Sequence, residues 1–401
     1  MSKTPLFIRI ARPTYGKWLN WYHNIETAGY DLLPKEGPYL ILANHTHTYD
    51  PFFISSSLKV HVRWVAGAYL FKNQALKLML GKWIGGIAKQ QGRSDLQTIR
   101  DISGAFKAGE IVGLFPEGTR TWDGEPLGFD QATAKLVRMF NVPVVLMHIE
   151  GGYAQRPRWA RYGRKGPITL RVVNVVQPDE LKRMSVVQAH SMLSEALAFS
   201  HTEWQRKQQI PYESPHLAEG LEKILYLCPS CEGKSTIVSS GKGFGCSTCD
   251  LKGELDPYDR LHQVSGDFHA IDSIPAWHRW ERELLVRLAD DAPSGSPLFP
   301  TDDGVLLQKG VGKKLVTLSK SFTVTLQSDR MVIRLANETL LFDFTDIQSM
   351  IVNAKSTVEL YHDDQLWRIR VSQDRSILKY VELYGAYKEG RVGFLAKEES
   401  L

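Results

Sequence analysis

From residue 38 to residue 173, short runs that are apolar throughout alternate with stretches of helical spacing, and this alternation constrains the fold more than any other feature of the chain. Strands are predicted at 38–43 (PYLILA), 62–66, 84–88, 111–115 and 143–149. Helices are predicted at 51–58, 70–80, 95–108 and 131–140, with Asp50 and Asp95 as N-caps. A strand that is apolar on both faces needs cover on both, so the pattern predicts an α/β domain with a mostly parallel sheet and helices on each face. A last strand near 168–173 and a helix over 186–206 close a domain of residues 1–210, and Pro211, Ser214 and Pro215 mark a linker.

Beyond the linker the pattern changes. All four cysteines of the chain lie between 228 and 249, inside a small module of residues 221–257. A helical connector at 275–289 and a turn-rich stretch, DDAPSGSPLFPTDDG at 290–304, come next. Short alternating segments then recur at 314–318, 322–326, 331–335, 339–344, 347–352, 357–361 and 366–371 before a helix at 376–388, whose Ile377, Tyr380, Val381 and Tyr384 share one face. This reads as a mainly β C-terminal barrel over residues 305–390. A chain of 401 residues is expected to divide into two or three such domains, because one core seldom grows that large.

With 43% hydrophobic and 23% charged residues the chain is neither disordered nor fibrous. No run approaches the ~20 apolar residues of a spanning helix. Lys3, Arg9, Arg12, Pro13 and Lys17 interrupt the start where a signal peptide would have its apolar core, so a cytoplasmic protein is expected. Residues 1–210 hold 27 Lys and Arg against 16 Asp and Glu, and the remainder 22 against 28. The steepest basic stretch, 51–100, has eight cations against Asp95 alone and is interleaved with apolar residues, including Trp64 and Trp83. Such a surface suits an anionic ligand, nucleic acid or an anionic membrane face equally, and equally describes a solvated helix face.

Two loops carry chemistry. His45 and Asp50 stand in ANHTHTYDPFF, after the first strand and at the start of the next helix. Strand ends are where α/β sheets bind ligands, and an imidazole there can take a proton from a hydroxyl while a carboxylate fixes its tautomer. His47 in the same loop reads as a packing or solvent-facing neighbour. The second loop, FPEGTR at 115–120, sets an acid, a glycine and an arginine suited to a phosphate at another strand end. A local salt bridge of Glu117 with Arg120 is the competing reading.

On these motifs, with the lead-in LPKEGPYLILANH at 33–45 and VPVVLMHIEG at 142–151, the first 210 residues resemble the glycerophospholipid acyltransferase family, typified by 1-acylglycerol-3-phosphate acyltransferases. The resemblance implies an O-acyltransferase with His45 as general base and Asp50 as its orienting partner. It also implies Asn44, Arg93, Glu117, Gly118, Thr119 and Arg120 as the substrate-binding set, a lysophospholipid acceptor, and acyl-CoA or acyl carrier protein as donor, with direct transfer from the thioester. One departure is Gln91, which stands where the family usually has an arginine and leaves a different lipid acceptor open. A non-catalytic lipid-binding adaptor on the same fold is the rival that an intact His45 and Asp50 oppose.

Cys228, Cys231, Cys246 and Cys249 form C-x2-C, fourteen residues, C-x2-C. Four thiolates in two knuckles suit structural Zn2+, and the module resembles a zinc ribbon. A closed four-cysteine site has no open position for substrate. No nucleic-acid partner is expected, because the C-terminal part is acidic overall. The C-terminal strands and closing helix resemble a pleckstrin-homology-like barrel in element order. A lipid acceptor further implies peripheral attachment to an anionic membrane, for which 15–22 (YGKWLNWY) and the basic stretch 59–93, with Lys72, Lys77, Lys82 and Trp83, are the candidates.

Overall fold

A computed structural model describes residues 4–67, 78, 81, 84–89, 96–267, 271–312, 314–372 and 374–392. The chain forms two compact units, one of residues up to Arg158 with Gly163–Glu213, the other of Trp159–Tyr162 with the residues from Ser214 onward.

The first unit is built on seven strands: β1 (Ile25–Ala28), β2 (Leu40–Ala43), β3 (Val62–Gly67), β4 (Ile87–Lys89), β5 (Ile111–Leu114), β6 (Val144–Glu150) and β7 (Ile168–Val176). They lie in the order β1-β7-β6-β2-β5-β3-β4. From β6 to β4 every pairing is parallel, whereas β7 runs antiparallel to β6 and carries β1 parallel to itself. The sheet is therefore mostly parallel and helix-covered, as the alternation predicts. Side chains leave β2 alternately. Tyr39, Ile41 and Ala43 pack with Phe53 and Ile54 of helix Asp50–Ser57 on one face. Leu40 and Leu42 pack with Ile102 and Phe106 of helix Leu96–Lys107 and with Leu193 on the other. Two buried faces explain why the run reads as continuously apolar.

Several boundaries differ from the sequence reading. Asp50 is the first helical residue rather than the cap, which is Tyr49, because its carboxylate turns back to the preceding amides. The helix expected over 186–206 is two, Val186–Leu197 and His201–Gln208. Ala198 is extended, and Ser200 opens a new helix by accepting from the Glu203 amide. Strand β4 starts at Ile87, after the Gly85–Gly86 pair. The half-polar IETA of β1 is an edge strand that the apolar pattern does not reveal. The helix expected at 70–80, apart from Leu78, and the N-cap Asp95 lie outside the described residues.

The second unit holds a four-stranded antiparallel sheet, β8 (Ile237–Ser240), β9 (Gly243–Cys246), β10 (Lys252–Leu255) and β11 (Leu261–Ser265), around the cysteines. Helix Ile274–Asp290 follows. A curled antiparallel sheet comes next: β12 (Asp302–Val311), β13 (Lys314–Ser319), β14 (Phe322–Leu326), β15 (Arg330–Arg334), β16 (Thr339–Asp343), β17 (Ile347–Asn353), β18 (Thr357–His362) and β19 (Gln365–Val371). It runs β16-β15-β14-β12-β19-β18-β17, with β13 paired to β12, so among the described residues it is a half-barrel rather than a closed one. Helix Leu378–Lys388 completes it. The ten-residue β12 begins inside the turn-rich stretch and precedes the first of the expected segments. Its first residue, Asp302, is fully buried and held by Lys379 Nζ at 2.8 Å and the Tyr380 hydroxyl at 2.7 Å, a partnership invisible to hydropathy.

Candidate active site and metal centre

His45 leaves the carboxyl end of β2, and the FPEGTR loop leaves that of β5. Far apart in sequence, the two strands are sheet neighbours, and this alone brings the motifs together. The loops are then tied directly: the Thr121 amide donates to the His45 carbonyl at 3.1 Å, and the His45 amide donates to Glu117 Oε1 at 3.3 Å. On the other flank Asn44 clamps the loop to β6, accepting from the Ile149 amide at 2.7 Å and donating to the Ile149 carbonyl.

Asp50 is fully buried. Its Oδ2 accepts from the amides of Thr46 and His47, both at 2.8 Å, and from His45 Nδ1 at 2.9 Å. Three donors on one oxygen hold the carboxylate in place, and the contact fixes the imidazole with its proton on Nδ1. Nε2 then has a lone pair for a substrate proton, and the His45 side chain is 20% exposed at the sheet edge. Its ring lies flat on Phe115, centroids 4.2 Å apart.

Two neighbours depart from ordinary titration. Glu117 is pushed up to about 8, by burial first and by the Asp50 carboxylate as well, against the amide bonds from His45 and Leu127. At neutral pH it is largely a neutral acid. His47 is pushed down to about 3 by burial and by nearby cationic and imidazole groups, Arg120 and Arg156 among them. A neutral His47, accepting from the Tyr49 amide at 3.0 Å, is a packing residue.

Gly118 has φ +72°, a left-handed conformation that side chains resist, and the space beside its Cα is open. The Thr119 hydroxyl accepts from Arg158 Nη1 at 2.8 Å, and the same nitrogen donates to the Arg120 carbonyl at 3.0 Å. Arg158 also lies over the Trp122 ring at 4.5 Å. This buried arginine, which shapes the loop from behind, was not anticipated; an arginine in QRPRWA just after β6 was the available signal. The structure thus brings the loops that carry Asn44, His45, Asp50, Glu117, Gly118, Thr119 and Arg120 together at two neighbouring strand ends, with Asn44 occupied by β6. Arg93 and Gln91 lie outside the described residues.

In the second unit the Sγ atoms of Cys228, Cys231, Cys246 and Cys249 all lie within 4.8 Å of one another. The Cys228–Cys249 and Cys231–Cys246 separations are 3.7 and 3.8 Å. A tetrahedron with Zn–S bonds of about 2.3 Å has edges of about 3.8 Å, so the donor set fits zinc. Behind it Trp277 Nε1 donates to the Leu227 carbonyl at 2.9 Å, and Glu281 Oε2 accepts from the amides of Tyr226 and Leu227 at 2.8 and 3.1 Å. Glu382 accepts from the Tyr226 hydroxyl at 2.7 Å and pairs with His278 Nε2 at 2.6 Å.

Comparison with known proteins agrees with the motifs. A family described as Acyltransferase matches residues 24–150. The chain is similar to the 1-acyl-sn-glycerol-3-phosphate acyltransferase alpha of Ovis aries, 24% identical over 179 residues, which are 42% of this chain and 62% of that protein. It is similar to the 1-acyl-sn-glycerol-3-phosphate acyltransferase of Bacillus subtilis, 24% identical over 176 residues, 41% of this chain and 80% of that protein. Among solved structures it is similar to the 1-acyl-sn-glycerophosphate (LPA) acyltransferase PlsC from Thermotoga maritima, at 21% identity and a TM-score of 0.41, over 47% of this chain and 76% of that one. The chain thus spans 62% of the length of the sheep relative. Residues 24–150 thus match the Acyltransferase family, and both of these relatives are 1-acyl-sn-glycerol-3-phosphate acyltransferases.

Proposed function

We propose that this chain is an O-acyltransferase that moves an acyl group from a thioester, acyl-CoA or acyl carrier protein, to the hydroxyl of a lysophospholipid, with 1-acylglycerol 3-phosphate as the first acceptor to test. The observation that carries this reading is the His45–Asp50 contact at 2.9 Å, with Asp50 held by two amides and the FPEGTR loop tied to the same histidine. His45 Nε2 takes the acceptor's proton as its oxygen attacks the thioester carbonyl. Asp50 stabilises the imidazolium that forms, and the proton then passes to the departing thiolate. Arg120, beside an open Gly118 backbone, supplies charge for the acceptor's phosphate. Incubating the full chain with mixed lysolipids and acyl thioesters, with mass-spectrometric readout, tests this. A diacyl product from 1-acylglycerol 3-phosphate supports it, a product from another lysolipid alone revises the acceptor, and no product from any thioester leaves the adaptor reading in its place.

Peripheral attachment to an anionic membrane belongs to the same reading. Among the described residues no helix is long and apolar enough to cross a bilayer. The N-terminal helices Leu6–Ala11 and Lys17–Tyr22 are anchored on one side, where Leu19 is buried and Arg12 donates to the carbonyls of Lys59 and Val60. On the other side Leu6, Ile10, Trp18, Trp21 and Tyr22 are exposed, Trp21 by 78%. Trp and Tyr rings suit the headgroup level. Sedimentation with anionic liposomes should weaken for Trp18→Ala/Trp21→Ala; unchanged sedimentation would remove this surface from the account. The other candidates, Lys72, Lys77, Lys82 and Trp83, lie outside the described residues.

The second unit holds zinc through Cys228, Cys231, Cys246 and Cys249 in this reading. All four positions of the tetrahedron are taken by thiolates, so the metal supplies folding energy and no chemistry.

A further inference from the structure

Two rings stack behind the candidate base. Phe115 rests on His45 at a centroid distance of 4.2 Å with 15° between the planes, and Trp64 rests on Phe115 at 4.9 Å with 10°. Both Trp64 and Phe115 are buried. Residue 64 on β3 lies opposite Gly113 on β5, and Phe115 follows two positions later on the same face. The indole lies flat across Gly113: a Cβ there would stand 2.5 Å from two of its ring carbons, which no packed structure tolerates. Trp64 is held at its far edge by donating from Nε1 to Ser55 Oγ at 2.9 Å. The glycine, the hydroxyl and the neighbouring strand therefore fix one orientation of the indole.

We propose that Trp64 is a positioning residue for His45, acting through Phe115, and that Gly113 is the opening that lets it do so. This rests on the acyl-transfer reading above. Asp50 fixes the tautomer and one edge of the imidazole, but a single contact at Nδ1 leaves the ring free to rock about it. A flat aromatic face on the imidazole removes that motion and also favours the imidazolium formed when the base takes its proton. Phe115 has no polar anchor of its own, so its plane is set by the larger ring beneath it.

The test uses the full chain with Trp64→Leu, Trp64→Phe and Gly113→Ala. Trp64→Leu should lower kcat by about 10- to 10²-fold with KM for both substrates unchanged, since a base displaced by a fraction of an ångström loses rate and not binding. Trp64→Phe keeps a ring under Phe115 and should recover most of the loss, which a role in bulk stability alone would not explain once assays are run below the thermal transition. Gly113→Ala should act like Trp64→Leu, and the double variant should be no slower than the slower single, because both changes break one path. The His45 ring resonances of [13Cε1]-histidine-labelled protein, assigned with His45→Gln, supply a readout that needs no turnover. Stacking on Phe115 shifts them upfield, and Trp64→Leu should move them toward free-histidine positions. Unchanged kcat and unchanged His45 resonances in folded Trp64→Leu would overturn the inference, as would multiplying penalties in the double variant. A wild-type chain without turnover would count against the acyl-transfer reading alone, and the resonances would still decide the positioning claim.

Discussion

The pair His45–Asp50 in the first unit and the pair His278–Glu382 in the second make the same imidazole–carboxylate contact, and their difference shows what separates a reactive pair from a structural one. His45 and Asp50 meet at 2.9 Å, and His278 and Glu382 at 2.6 Å. The chemistry of contact is the same. In the first, one carboxylate oxygen is held by two backbone amides of its own loop and the imidazole side chain is 20% exposed at the strand end. In the second, both partners are enclosed by the cysteine module and two helices, and Glu382 spends its second oxygen on the Tyr226 hydroxyl. Burial pushes Glu382 up, but the His278 charge and the bonds from His278 and Tyr226 outweigh it and leave the carboxylate below its usual range. Beside it Glu281, whose amide bonds do not offset its burial, is pushed well above that range. The inner pair is a joint, with no room for a substrate.

Four changes would break or sharpen this contrast. The largest effect is expected in the second unit, where metal binding is folding energy: Cys228→Ser should take zinc from about one per chain toward none and lower the thermal transition by more than about 10 °C. Elemental analysis and calorimetry check it, and zinc-free wild-type protein purified without chelators would contradict the assignment. Asp50→Asn should cut turnover by about 10²-fold with the fold kept, since a neutral amide no longer stabilises the imidazolium; steady-state kinetics with circular dichroism decide this. Glu281→Ala leaves two buried amides, of Tyr226 and Leu227, without their acceptor and should cost about 1–3 kcal/mol in denaturant unfolding, with turnover per folded molecule retained.

The smallest effect is a pH dependence. Glu117 holds its proton more tightly folded, at about 8, than its ordinary 4.5. The stability it contributes is therefore full below about pH 4.5 and is lost as pH rises through about 8. Glu117→Gln should flatten the decline in Tm across that window, and parallel curves for the two proteins would contradict the burial argument.

The apolar alternation was enough to read the central strands, because β2, β5 and β6 are buried on both faces and their sequences show it. The motifs on the two strand ends were equally legible. What joins them was not: β5 sits beside β2 through a crossover that sequence order conceals, so the tie from Glu117 to the His45 amide needed the fold. Arg158, Trp64 and Gly113 escaped for a related reason. Each acts on a loop or ring contributed by another element, and none has a chemistry that its own neighbours in sequence reveal. The start of β12 was hidden by the buried Asp302, whose partners Lys379 and Tyr380 come from the last helix. Hydropathy records burial of apolar groups and misses polar groups buried in pairs.

The most direct measurement compares the two histidines under one assay. Rates of diacyl product formation from an acyl thioester and 1-acylglycerol 3-phosphate are measured for wild type, His45→Ala and His278→Ala, each confirmed as folded at the assay temperature. The account predicts a loss of 10²- to 10⁴-fold for His45→Ala, and for His278→Ala a lowered Tm with turnover per folded molecule retained. Near-wild-type turnover by folded His45→Ala would contradict it.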